Sequence, residues 1–512
     1  MDQAASTHYA WWFKQPIDVK DWPLLIDGRS QLFVDDHLIA AQKNVQRQFH
    51  QARPYEGNPV LAPKHPWEST TCLAHGTVIR EPGGRFRMYY MPWVGEERFG
   101  PEVKYKPGEL ACLAFSDDGI HWEKPKLGLY PYQGRNDTNL VLPNIPDETA
   151  YSHLSVIYDE NDPDPSRRWK MGIKHAGKKV IHNNPADGSI MTVEKDYRED
   201  AGYFAYFSHD GIHWNRHPDP IMTDGWNLLP RQTWPHRGIF ENASIMYDQV
   251  RRKFVASVRI LDCRPGITTF WRARAICESD DFIHWTTPRV LFLPLEDDEP
   301  GLQFYSSSGF NYESMYLGLL RCYRSQSTHQ LYFQLTSSRD GIHWERSGYR
   351  QPFIPNQPLG TIGGGYHSDF SNGPFRMGNE LWFYYGSSQF GKNVRPNVGG
   401  ICISKLRVDG FASIEGGIRT GEVITRPLDF QGKDLTLNAA CRSGGSIVVE
   451  VLDRNYQPIP DFTAADAVPV TGDQLAALVA WKNHRALSAV AGKTIRLRFH
   501  ITSAGLYSFA MR

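Results

Sequence analysis

Residues 116–122 read SDDGIHW and residues 208–214 read SHDGIHW; SDDFIHW follows at 279–285 and SRDGIHW at 338–344. A degenerate fifth copy, SKLRVDGFAS (404–413), keeps the Ser, the Asp-Gly pair and an aromatic residue. Recurrence of this kind marks a repeat architecture, so the unit around the heptapeptide decides the fold. In S-x-D-G-I-H-W the Asp is suited to accept the backbone N–H groups of a turn, the Gly supplies a positive φ, and the Trp packs back onto the sheet. The motif reads as a hairpin staple. Its histidines, His121, His213, His284 and His343, sit at equivalent places in four units that cannot all face one site, and they read as structural.

Each heptapeptide follows a larger pattern. Upstream lie a short strand, a turn rich in Gly, Pro, Asn or Asp, and an aromatic strand: RFRMYYMPW (85–93), RRWKMGIKH (167–175), RKFVASVRI (252–260), ESMYLGLLRCYR (313–324) and NELWFYYGSS (379–388). A further strand then runs into the heptapeptide, as in ELACLAFS (109–116) and AGYFAYFS (201–208). Alternation and aromatic content identify these as β-strands. Four strands per unit and five units predict an all-β chain built on a five-bladed β-propeller.

Residues 416–512 lack the heptapeptide and read as a C-terminal β-sandwich, with GDQLAALVAWK (472–482) as a helical interruption. The expected organisation is an N-terminal arm over 1–70 that packs on or closes the propeller, the propeller over 71–415, and the sandwich over 416–512.

Lys+Arg and Asp+Glu are equal at 56 each, so bulk charge attracts neither nucleic acid nor an anionic membrane. Aromatic residues make up 13% of the chain, with 15 Trp and 24 Tyr, which suits many strands and surfaces that stack on the flat faces of sugars. Seven scattered cysteines without C-x-x-C spacing write neither a zinc site nor a disulfide framework. The opening MDQAASTHYAWWFKQP has no basic stretch followed by an apolar run. A soluble chain is expected, either cytoplasmic or exported with its signal removed.

Five four-stranded blades, each closed by an S-x-D-x-x-x-W hairpin, resemble the five-bladed propeller glycoside hydrolases of families 32 and 43, and the heptapeptide is similar to the Asp box of sialidases. LFVDDHLIA (32–40), NPVLAPKHPWE (58–68) and GLYSFAMR (505–512) look like a bacterial subgroup related to family 32. The family 32 signatures W-M-N-D-P-N-G, R-D-P and E-C are absent. What the resemblance implies is a carbohydrate-active enzyme with its site on the propeller axis.

The innermost strand of each blade lines that axis, and the five candidates are AHGTVIRE (74–81), SHLSVIYDE (152–160), FENASIMYD (240–248), YSSSGFNYE (305–313) and YHSDFSNGPF (366–375). His75, His153 and Asn242 fall at matching places, with Glu241, His367 and Asp369 at or beside the same level. Cleaving a glycosidic bond takes two carboxyl groups. Glu241 is the expected general acid, Asp369 the expected partner and Asp36 the third candidate, Asp35 being its neighbour. His75, His153, His367, Glu68, Asn242 and Tyr305 are expected to bind sugar hydroxyls, with neither metal nor cofactor. DENDPDPSRR (159–168) lacks the order of a calcium loop and reads as a long turn.

The reading is a glycoside hydrolase for an oligo- or polysaccharide, with a glycoside phosphorylase or a lectin-like binding propeller as alternatives. Carbohydrate is the expected partner; nucleic acid and membrane are not, and oligomeric state leaves no mark in the sequence.

Overall fold

A computed structural model describes residues 21–512, save 69–70, 93–109, 144–149, 177–178, 184–189, 196–201, 223–242, 263–270, 371, 393, 395–396 and 484–485. The described chain is 52% strand and 4% helix, and its five blades succeed one another in sequence order.

Blade one pairs Cys72–Arg80, Phe86–Pro92 and Cys112–Ser116, with a bridge from Phe115 to Glu123 at its outer edge. Blade two runs Ala150–Tyr158, Trp169–Ala176, Gly202–Ser208, Asn215–Arg216, with a separate hairpin, Lys179–Asn183 on Ile190–Lys195, inserted between its second and third strands. Blade three is Ser244–Asp248, Lys253–Asp262, Trp271–Ser279, Arg289–Phe292, and blade four is Leu302–Tyr312, Met315–Arg324, Leu331–Ser338, Glu345–Arg346. Blade five takes Phe375–Met377, Glu380–Ser388 and Gly399–Arg407 from one end of the chain and its outermost strand, Arg53–Pro54, from the other. Every residue of Phe86–Pro92 is buried. Blades meet face to face, so both faces of such a strand are covered and its aromatic content supplies the apolar area that holds the ring together.

The heptapeptide acts as the sequence predicts. In the first copy Asp118 Oδ1 accepts the backbone N–H of Ile120 and His121 at 2.8 Å, and its Oδ2 meets His121 Nδ1 at 2.6 Å. Ser116 Oγ accepts the N–H of Gly119, which has φ 78°. The same bonds recur at Asp210, Asp281 and Asp340, and the motif histidines are largely exposed. The turn also hooks a neighbouring blade. Tyr384 of blade five donates to Gly119 O, and Tyr89 of blade one donates to Gly211 O, both at 2.7 Å. In the third copy Phe282 occupies the glycine position with φ 70° and is fully buried against Phe254.

The fifth copy has a different job. Tyr312 of blade four donates to Asp409 Oδ1 at 2.7 Å, and Ser508 in the last strand donates to Oδ2 at 2.6 Å, so this aspartate joins the propeller to the C-terminal module. There, Ile39–Lys43, Gly421–Thr425, Arg496–Met511, Ala412–Gly416 and Val45–Phe49 lie in one eight-stranded sheet with Leu435–Leu452 and Asp473–Leu478. Its own core includes Phe33, Leu437, Val449, Trp481 and Phe499. Strands from the N-terminal arm are thus built into this sheet as well as into blade five. The helical reading of 472–482 is corrected: Asp473–Leu478 is a strand paired with Leu435–Leu452. Its pairing partner and the burial of Ala477 override the helix-forming composition. DENDPDPSRR is a long turn between the first two strands of blade two, closed by Lys170 on Asp159 and Asp162 at 3.2 and 2.5 Å.

Around the axis the inner strands are tied by small hydroxyl side chains. Val156 N–H donates to Thr77 Oγ1 at 2.9 Å and Ile245 N–H to Ser155 Oγ at 3.1 Å. Ser244 and Ser308 share a bond at 3.0 Å, and Ser308 Oγ donates to Phe370 O at 2.7 Å. A bridge from Phe370 to Gly76 brings the circuit back to blade one. Where five strands converge, only short side chains fit, and hydroxyls satisfy backbone groups that face no strand ladder.

Candidate active site

Just before this hydroxyl ring, three inner strands break their pairing. In blade one the register slips between Leu73 and Thr77, so three residues face one. In blade two Ser152 and Ser155 both keep partners on the second strand, Lys174 and Gly172, while His153 is passed over. In blade four the slip falls between Phe304 and Ser306 and passes over Tyr305. His75 has φ 123° and His153 φ 56°, positive values that side chains of their size adopt only when the surroundings impose them. β-bulges re-aim side chains, and here they turn His75, His153 and Tyr305 out of the strand ladder. Gly76 follows from the same geometry: a Cβ on it would stand 1.9 Å from Tyr89 O.

The two imidazoles meet with ring centroids 4.3 Å apart. His75 Nδ1 lies 3.4 Å from Asp369 Oδ1, and the same oxygen accepts Arg321 Nη1 at 2.6 Å. Burial alone would raise the Asp369 carboxyl, but the Arg321 guanidinium and His75 outweigh it and hold the group well below the usual carboxylate range. Arg321 Nη2 donates to Tyr366 OH at 2.9 Å. Its guanidinium also lies over the rings of Tyr305 and Tyr366, 5.2 and 5.1 Å from their centroids. An ionised carboxylate, two imidazoles and a tyrosine cluster are therefore contiguous near the axis. Such a group can attack or stabilise an electron-poor carbon and bind hydroxyls, but Asp369 in this state is no proton donor.

Other expected site residues stand elsewhere. Glu241 and Asn242 lie outside the described residues. His367 is fully buried, bonded through Nδ1 to Ser387 Oγ at 2.8 Å and packed on Phe333 and Tyr385; burial pushes it down to about 4, so it is neutral. Glu68 is buried and saturated. Lys124 reaches its Oε1 at 2.6 Å, Tyr90 OH donates at 2.5 Å, and the N–H groups of Lys64 and His65 donate to Oε2. It fastens the segment before blade one. Asp36 is mostly exposed and pairs with Arg47, on a cleft shared with Asp297 and Arg346. Its neighbour Asp35 takes both arms of Arg339, at 2.8 and 2.7 Å. Arg339 is the variable residue of the fourth heptapeptide, so LFVDDHLIA is the segment that docks the arm onto blade four.

Sequence reasoning missed the cations. Arg272, Arg274, Arg321 and Lys392 sit on second or third strands or a loop, and no motif marks them. Their signal was the alternation in WRARA (271–275), which puts two arginines on one face. Among the described residues, no group of three or more His, Cys, Asp or Glu is arranged to hold a metal ion, and no helix is long and apolar enough to cross a membrane.

No family model matches the chain, and no curated protein matches it. Solved structures that resemble it include a thermostable family-43 glycoside hydrolase, at 13% identity and TM-score 0.42 over 70% of this chain and 95% of that one. A β-1,2-mannobiose phosphorylase from Listeria innocua aligns at 11% identity and TM-score 0.44 over 70% and 97%. A protein of unknown function from Dyadobacter fermentans aligns at 12% identity and TM-score 0.38, over 93% of this chain and the whole of that one. Two of these three structures are thus a glycoside hydrolase and a glycoside phosphorylase, and the third has no assigned function.

Proposed function

We propose that the protein is a glycoside hydrolase whose reaction centre is the axial group around Asp369. The observation that carries this reading is the convergence of three strand bulges, which bring His75, His153 and Tyr305 to a carboxylate held ionised in a buried setting. His75 and His153 hold positive φ there, and such backbone strain collects at functional sites. In this reading Asp369 is the carboxylate that attacks the anomeric carbon, activates water or stabilises the developing positive charge. His75 and His153 bind hydroxyls of the sugar ring. The proton for the leaving oxygen comes from a second carboxyl, assigned to Glu241 on its position in the sequence alone.

The test is a panel of oligosaccharides, polysaccharides and aryl glycosides, with and without phosphate, run beside Asp369→Asn and Glu241→Gln. Phosphate-independent release of sugar that collapses in both variants supports the reading. Release that requires phosphate replaces hydrolysis by phosphorolysis, and saturable binding without release makes the propeller a lectin.

A further inference from the structure

The cleft beside Asp36 shares no residue with the axial group. It lies between the N-terminal arm and the outer edge of blade four and has a volume of about 720 Å³, within the range of small-ligand sites. Its place follows from a break in the outer strand of that blade. Glu345–Arg346 and Pro352–Ile354 both pair with Leu331–Ser338, and residues 347–351 leave the sheet between them. Gly348, Tyr349 and Arg350 follow one another at φ 66°, 52° and 61°, which is uncommon backbone for the two that carry side chains. Tyr349, at the centre of this excursion, is 73% exposed. Its ring stands edge-on to Phe49, with 5.4 Å between centroids, and both rings line the cleft.

Beyond these rings the lining is polar and its charges are matched. Arg346 donates to both oxygens of Asp298 at 2.7 Å and to Gln334 Oε1 at 3.0 Å. Arg324 reaches Glu299 at 3.0 Å while lying 4.3 Å from the centroid of the Tyr332 ring. Arg350 holds Asp297 at 2.6 Å, and Arg47 holds Asp36. Each of these four carboxylates thus carries its own guanidinium, and Glu345 adds one exposed carboxylate. Such pairs suit a hydroxyl from both sides, because an alcohol donates to the carboxylate and accepts from the N–H. They offer little net charge to an ion. An exposed tyrosine beside them presents a flat apolar face to the C–H face of a sugar ring. We infer that this cleft is a second carbohydrate site, which binds an uncharged sugar unit of a polysaccharide. Tyr349 stacks on the ring, and the Asp297–Arg350 and Asp36–Arg47 pairs take its hydroxyls. The site holds a chain apart from the axis and does not depend on the chemistry proposed there.

The test is native electrophoresis of the full chain through gels carrying arabinoxylan, galactomannan, galactan or dextran, run beside Tyr349→Phe, Tyr349→Ala and Asp369→Asn. A melting curve checks that each variant is folded. The expected result is retardation by at least one polymer, kept in Tyr349→Phe and in Asp369→Asn and weakened about tenfold in Tyr349→Ala. Release from a small aryl glycoside should be unchanged in Tyr349→Ala, because this residue lies outside the axial group. Retardation equal in Tyr349→Ala and wild type, retardation lost in folded Asp369→Asn, or no retardation by any polymer overturns the inference. So does a wild-type dimer that Tyr349→Ala dissociates, since a second copy of the chain then fills the cleft. Retardation through Tyr349 by a protein that cleaves nothing keeps this site and removes the hydrolase. Cleavage without retardation does the reverse.

Discussion

Arg321 Nη1 and Asp369 Oδ1 are 2.6 Å apart, in an ion pair whose arginine side chain is wholly enclosed. This pair sets the chemistry of the axis, because it fixes the carboxylate in its ionised form. Asp369→Asn should lower turnover at least about a hundredfold, by removing charge where positive charge develops. It should also cost about 3 kcal/mol of stability, since an enclosed guanidinium loses its counter-charge. Because the folded carboxyl is depressed, its contribution is complete above the ordinary Asp value and fades only as pH falls through the lower folded one. An acid limb of activity in the neutral range must therefore come from another group, which a pH–rate profile of the wild type and Glu241→Gln would identify.

His367 makes the opposite kind of pH statement. Its folded value is about 4 against an ordinary 6.5, so the unfolded chain takes up a proton that the folded chain refuses. Stability is complete above about 6.5 and falls as pH drops toward 4, by roughly 3 kcal/mol if the group acts alone. Chemical denaturation at pH 7.5 and 4.5 measures the difference, and His367→Gln should flatten it while lowering stability at both.

Ser155 tests the hydroxyl ring. Ser155→Ala strips the acceptor from the Ile245 N–H without a change of shape, and a buried donor left unpaired costs about 1–3 kcal/mol. A loss of that size in denaturant midpoint, with unchanged slope, is the expected reading; no change would mean that the ring is decorative.

Phe282 sets two effects against each other. Glycine at this position would relieve a positive φ, worth about 1 kcal/mol, but would empty the space of a fully buried ring, worth about 3–5 kcal/mol. Phe282→Gly should therefore destabilise by about 2–4 kcal/mol, whereas Gly119→Phe in the first copy should be worse still, since a Cβ there stands 2.5 Å from Tyr384 OH. Thermal melts of the two variants give the ranking.

The propeller was legible because its staple needs fixed residue types at fixed spacing, and Ser, Asp, Gly and Trp are visible as letters. Tyr384 and Tyr89 were visible as strand aromatics, yet not as hooks, since their partners are carbonyls 265 and 122 residues away in sequence. At the axis, alignment of inner strands drew attention to His75, His153 and Tyr305. The bulges that turn them out of the strand ladder have no letter code beyond Gly76. Glu68, Asp35 and Asp36 attracted attention as carboxyls, and only three-dimensional neighbours such as Lys124, Arg339 and Arg47 reveal what those carboxyls hold. Arg272, Arg274, Arg321 and Lys392 come from strands of two blades and a loop of a third, so one-dimensional spacing carries little trace of them. Asp473–Leu478 misled because its composition favours helix while its pairing partner lies some 35 residues earlier.

The strand Arg53–Pro54 completes blade five by pairing with Ser404 and Lys405, and Val45–Phe49 pairs with Ala412–Gly416 just beyond. A ribosome therefore releases the clasp hundreds of residues before its catch exists. During synthesis the early segment has to wait unpaired, and ring closure belongs to the last stage of folding, where contacts of long sequence separation form slowly. Each inner blade is assembled from consecutive residues and can form as it emerges, but neither a chain cut before residue 399 nor one begun after residue 54 contains a closable circle. Fragments of this protein should be sticky rather than simply shorter.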